Sequence, residues 1–106
     1  MVTHVVFFKF SSPEEAQEAR RLLLAMQGRI PGLVGVEAGL DFTRSERSFD
    51  LALITRHEDR QSLDVYRDHP VHQEVVQFIR PRATASAAVD FESSDDPSRG
   101  SPRSQQ

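Results

Sequence analysis

The sequence predicts an α+β domain, one antiparallel four-stranded sheet with helices packed on one face. Four short runs rich in β-branched, aromatic or small apolar residues alternate with two segments of helical periodicity, in the order strand, helix, strand, strand, helix, strand. That order is the ferredoxin-like split βαβ pattern, βαββαβ. A short polar stretch, Thr43–Ser48, joins the two middle strands and marks an antiparallel hairpin. At 106 residues the chain has room for one domain with one modest core. The domain is expected over residues 1–92, with residues 93–106 (SSDDPSRGSPRSQQ) as a disordered polar tail without a large apolar side chain.

The first strand, Thr3–Phe10, places His4, Val6, Phe8 and Phe10 on one face and Val5, Phe7 and Lys9 on the other. Ser12-Pro13-Glu14-Glu15 starts a helix: Ser12 caps the amide of Glu15, Glu15 reaches back to Ser12, and Pro13 takes the first helical position. Ala16, Ala19, Leu22, Leu23, Met26 and Ile30 follow at helical spacing as a core-facing stripe, and Gly28 supplies a left-handed terminator. From Val34 a second strand alternates Val34, Val36, Ala38 and Leu40 against Gly35, Glu37, Gly39 and Asp41. Phe49–Arg56 is the third strand, Asp59 caps the second helical region, and Ala83–Phe91 is the fourth strand.

Composition excludes several classes. The chain has no cysteine, which removes disulfides, thiolate catalysis and thiolate metal sites and suits a reducing compartment, so a cytoplasmic location is expected. Its formal net charge is −3, with both signs mixed, and no basic stripe suggests nucleic acid. No apolar run approaches the length of a membrane span, and no signal peptide is evident. No side-chain cluster suggests a metal, and no cofactor is expected.

The stretch most suited to chemistry is Asp64–Pro81, DVYRDHPVHQEVVQFIRP. Pro70 suits a first helical turn and pushes His69 towards an extended conformation, so one helix should end near Asp68 and another run from Pro70 to about Ile79. His72 then lies in a first turn, where unpaired amides and the macrodipole disfavour an imidazolium and bias it towards the neutral form of a general base. Tyr66 can face it across the corner. A second reading makes His69 a helix cap and Tyr66 and His72 half-buried packing residues.

Every strand carries apolar side chains on both faces, Val5 and Phe7 against Val6 and Phe8, Ala52 and Ile54 against Leu51 and Leu53. One face takes the helices. The other would be a larger apolar patch than monomers usually expose, and two-fold pairing through the sheet would bury it. A homodimer is expected.

THVVFFKF, IPGLVGVEAG, FDLALI and above all ED…SLDVYRDHPVHQEVVQFIRP followed by AVDF resemble the stress-responsive A/B barrel family, the Dabb domain, over residues 2 to about 92. The resemblance implies the dimeric α+β barrel. The family includes plant stress proteins, uncharacterised bacterial proteins and plant polyketide cyclases, which close a poly-β-ketone by intramolecular aldol reaction without metal or organic cofactor. Their catalytic tyrosine and histidine match Tyr66 and His72, their first-strand cavity histidine matches His4, and the histidine before the shared proline matches His69. The resemblance therefore implies a small carbonyl compound in a sheet–helix cavity, bound by His4, Val6, Phe8, Leu23, Leu53, His69 and Ala88. The aromatics that line the cyclase cavity are absent, their places taken by Leu22, Leu23 and Leu24 on the helix and Ala83, Ser86 and Ala88 on the last strand. Some plant members bind a cation through backbone carbonyls, which would fall at Met26–Arg29. The alternatives to a cyclase-like enzyme are a non-catalytic stress or ligand-binding dimer and a cofactor-free monooxygenase on the same barrel.

Overall fold

The computed structural model of the chain describes residues 1–94. In chain order it contains β1 (Val2–Phe10), α1 (Pro13–Leu24), β2 (Leu33–Leu40), β3 (Leu51–His57), α2 (Arg60–Asp68), α3 (Pro70–Ile79) and β4 (Ala83–Glu92). The strands form one antiparallel sheet in the order β2-β3-β1-β4, the ferredoxin-like α+β fold expected from the element order. No helix among the described residues is long and apolar enough to cross a membrane.

The helix boundaries follow local chemistry. Ser12 is extended and its hydroxyl accepts from the Glu15 amide at 3.2 Å, with Pro13 opening α1. The Glu15 carboxylate, expected on the amide of Ser12, instead accepts from Ser11, one residue further out. Ala16, Ala19, Leu23, Met26 and Ile30 are buried, whereas Leu22 is only partly so. Regular helix ends at Leu24, and tight turns continue to Gly28, whose φ of +80° terminates them. Gly32, with φ +79°, is needed for a second reason: a Cβ there would lie 2.5 Å from Ser62 Oγ.

In β1, Val2, Val6 and Phe10 enter the core, and β3 adds Leu51, Leu53, Thr55 and His57 to the same side. The expected phase of β2 is corrected at its start. Leu33 is buried and Val34 is 46% exposed, because the register with β3 shifts between Leu33 and Gly35. The anticipated alternation resumes over Val36 to Ala38, while Leu40, expected inward, is exposed. The edge strand β4 pairs with β1 and is exposed along nearly its whole length. Ion pairs Arg60–Glu92 (2.9 Å) and Arg67–Asp90 (2.8 Å) tie it to α2. The expected polar tail lies outside the described residues from residue 95 onward; Ser93 donates its amide to the Met1 carbonyl.

Candidate functional site

Pro70 divides the second helical region. It has no N–H to donate into a continuing helix, and His69 before it is extended, with φ −69° and ψ 138°. The corner sets Tyr66 of α2 against His72 of α3, their ring centroids 4.2 Å apart and tilted by 36°. Tyr66 is 1% exposed. His57, from the end of β3, meets its edge at 4.8 Å, and His4, from β1, at 5.9 Å. One phenol is thus surrounded by three imidazoles drawn from β1, β3 and α3.

Hydrogen bonds orient these rings. His72 Nδ1 lies 3.1 Å from the Arg67 carbonyl oxygen. A carbonyl only accepts, so Nδ1 carries the proton and Nε2 holds the free lone pair. Burial, rather than the helix field expected from the sequence, is the main cause that lowers the His72 pKa; the Arg67 carbonyl opposes it, and nearby His4 and Arg67 add to it. The direction is the expected one, towards a neutral base. His4 Nδ1 bonds Asp90 Oδ1 at 2.5 Å, and Asp90 Oδ2 accepts from Arg67 at 2.8 Å. His4 and Asp90 are register partners on β1 and β4, so the sheet itself brings this pair together.

Among the described residues, Tyr66 Oη and His57 Nδ1 in the cluster are buried without a hydrogen-bond partner. Burial raises the Tyr66 pKa above the ordinary phenol range, with the Thr55 hydroxyl opposing, so the phenol stays protonated and can donate. The Thr55 hydroxyl is itself 2.8 Å from His57 Nε2. His57 is fully buried, and desolvation, reinforced by His4, brings its pKa down to about 4.

The Tyr66–His72 pair borders a cavity of about 380 Å³ between sheet and helices. Its walls include His4, Val6 and Phe8 from β1, Leu53 from β3 and Leu23 from α1, five of the positions anticipated for ligand contact. It continues along α3 past Val75, Val76 and Ile79, and along β4 from Ala83 to Ser86, with Arg67 and Arg80 at its edge. Two anticipated residues stand apart from these walls. His69 caps α3, its Nδ1 accepting from the Val71 amide at 3.1 Å. Ala88 pairs with Val6 but is exposed. Leu22 and Leu24 likewise leave the cavity to Leu23. At the turn after α1, the Met26 carbonyl is taken by the Arg29 amide, and no group of metal-ligating side chains occurs among the described residues.

His57, Thr55, Arg67 and Asp90 did not emerge from the sequence. A signal was available for His57: extending β3 by one residue continues the inward parity of Leu51, Leu53 and Thr55 to position 57.

The family defined as the stress responsive A/B barrel domain matches residues 2–93. The chain belongs to this family. No curated protein matches the chain. Solved structures share this A/B barrel domain's fold. A dimeric ferredoxin-like protein of unknown function from Thermobifida fusca is 22% identical, with a TM-score of 0.76 over 85% of this chain and 88% of that one. The hydroxynitrile lyase from Passiflora edulis is 14% identical, with a TM-score of 0.76 over 90% and 94% of the two chains. SnoaB from Streptomyces nogalater, a cofactor-independent oxygenase, is 18% identical, with a TM-score of 0.72 over 91% and 95%. At these identities the likeness is one of fold.

Proposed function

We propose that this A/B barrel protein is a cofactor-independent acid–base enzyme that closes a small poly-β-ketone by intramolecular aldol reaction, in the manner of the polyketide cyclases. His72 Nε2 takes a proton from a carbon flanked by two carbonyls. The enolate oxygen accepts a hydrogen bond from Tyr66 Oη, the enolate carbon attacks a second carbonyl of the same molecule, and the proton on His72 neutralises the new alkoxide. The observation that carries this reading is a buried, protonated Tyr66, its hydroxyl without a partner among the described residues, packed 4.2 Å between ring centroids against a neutral His72 whose proton sits on Nδ1, with both residues lining the cavity. A base near neutrality and a preorganised donor are what enolisation requires. In this reading His4, hydrogen-bonded to Asp90, contacts a ligand carbonyl, and Leu23, Leu53, Val6 and Phe8 supply the apolar wall.

The working unit in this proposal is a homodimer paired through the open sheet face. Phe7, Val89 and Phe91 are 44, 63 and 48% exposed on that side, next to Val5, Ala52 and Ile54. An apolar surface of that kind favours a partner, and the Thermobifida fusca neighbour is described as dimeric. Sedimentation of Phe7→Asp against the wild-type chain tests it; a wild-type monomer at micromolar concentration removes the dimer.

The test of chemistry is turnover of a linear triketone or tetraketone with His72→Ala. A loss of roughly 10²–10⁴-fold in kcat is expected for one acid–base group. Unchanged turnover in the folded variant ends the general-base assignment. Ring closure with no oxygen uptake separates a cyclase from an oxygenase on the same fold.

A further inference from the structure

We propose that the compound held in this cavity carries an anionic end group, bound by Arg80 at the opposite end of α3 from His72. The inference rests on the reading of the cavity as a site for a carbonyl compound and names a further feature of that compound. It comes from where charge is spent. Among the described residues no aspartate or glutamate lines the cavity, and two arginines do, Arg67 and Arg80. Arg67 is committed, donating to Asp90 at 2.8 Å and to Asp64 at 3.2 Å. The next arginine along the chain, Arg82, is also committed, with Nη1 donating to the Phe78 carbonyl at 2.8 Å and its guanidinium 4.0 Å from the Phe78 ring centroid. Arg80 is exposed, and its side chain has no hydrogen bond or ion pair among the described residues.

An uncommitted guanidinium beside a cavity without acidic groups is matched by a carboxylate or phosphate, which it can engage through two parallel N–H donors. The helix then sets a length. His72 lies in the first turn of α3 and Arg80 is its C-cap, so their backbone positions are separated by about 12 Å at the α-helical rise. Between them the cavity is lined by Val75, Val76 and Ile79 on the helix and by Ala83, Thr84, Ala85 and Ser86 on β4. The matching ligand has an enolisable carbon at one end, an apolar middle of roughly 10 Å, the helix-imposed span less some side-chain reach, and an anion at the other end. A cation at a helix C-terminus also complements the macrodipole. That purely structural role would change stability without affecting ligand choice.

Calorimetric titration of the full chain with a β-diketone bearing a hexamethylene spacer and a terminal carboxylate, its methyl ester, and the matching phosphate monoester tests the inference. An anionic probe should bind about tenfold more tightly than the ester at low salt, as expected for a charge-assisted pair at a partly wet rim, and the advantage should shrink as salt rises. Arg80→Gln should abolish the preference and Arg80→Lys should retain part of it. The stronger of the carboxylate and phosphate identifies the anion. Equal binding of acid and ester to wild type, or a preference that survives Arg80→Gln, overturns the anion site while the carbonyl site stands. A variant that only melts earlier, with the preference intact, overturns it in the same way. Binding of none of the three probes overturns the carbonyl reading and this inference with it.

Discussion

Replacing Tyr66 with Phe deletes one oxygen from a ring that is 1% exposed and leaves its packing against His57 and His72 in place. In most cores such a change removes a satisfied hydrogen bond and costs roughly 0.5–1.5 kcal/mol. Here Tyr66 Oη has no partner among the described residues. A buried hydroxyl left unsatisfied carries a desolvation cost of about 1–3 kcal/mol that the substitution relieves. The Thr55 hydroxyl, close enough to offset part of the burial effect on Tyr66, reduces that gain; a net stabilisation of about 1 kcal/mol follows, at the low end of the same range. For a domain of this size that is a rise in Tm of about 4–8 °C. Thermal unfolding by circular dichroism reads it directly, and urea unfolding should show a higher midpoint with an unchanged slope. Turnover should move the other way, falling by about 10²–10³-fold, the scale for loss of one enolate-stabilising donor. A variant destabilised by about 1 kcal/mol or more, the loss typical of a satisfied bond, would mean that the hydroxyl is bonded inside the chain. The donor role would then fail with the stability argument.

Further consequences follow from the same geometry. The pKa of His57 falls from 6.5 to about 4 on folding, so between these values the unfolded chain binds more protons. Stability should therefore be complete above pH 6.5 and decline as pH falls towards 4, with His72 acting in the same direction. The loss from His57 is at most about 3–4 kcal/mol. Urea midpoints across that range should show the slope, His57→Asn should flatten it, and a flat wild-type profile would contradict the buried neutral imidazole. Leu23→Trp places an indole in the cavity and should weaken ligand binding more than it lowers Tm; undiminished affinity would put the ligand elsewhere. Gly28→Ala and Gly32→Ala both meet the strain of positive φ, about 1–2 kcal/mol. Only Gly32→Ala also drives a Cβ against Ser62, so it should destabilise the chain more in parallel denaturation curves.

What the sequence determines about this protein is what near neighbours along the chain determine. Ser12 and Pro13 start α1, and Pro70 splits the second helical region because the missing amide and the restriction on His69 act within one or two residues. The inward parity of β1 and β3 follows from the two-residue repeat of a strand. The Tyr66–His72 juxtaposition is legible for the same reason, since one proline corner carries both residues. What tertiary structure alone decides depends on register and burial. Asp90 becomes the partner of His4 because β1 and β4 align them, across 86 positions of chain. Val34 turns outward because β2 slips by a residue against β3, and Ala88 stays exposed although its register partner Val6 is buried. The helix dipole alone predicts a neutral His72, but the principal cause of that state is desolvation, which local sequence does not encode. His57 and the unpartnered Tyr66 hydroxyl belong to this second class as well. Whether a buried polar atom has a partner depends on every element packed around it, and here those elements come from both ends of the chain.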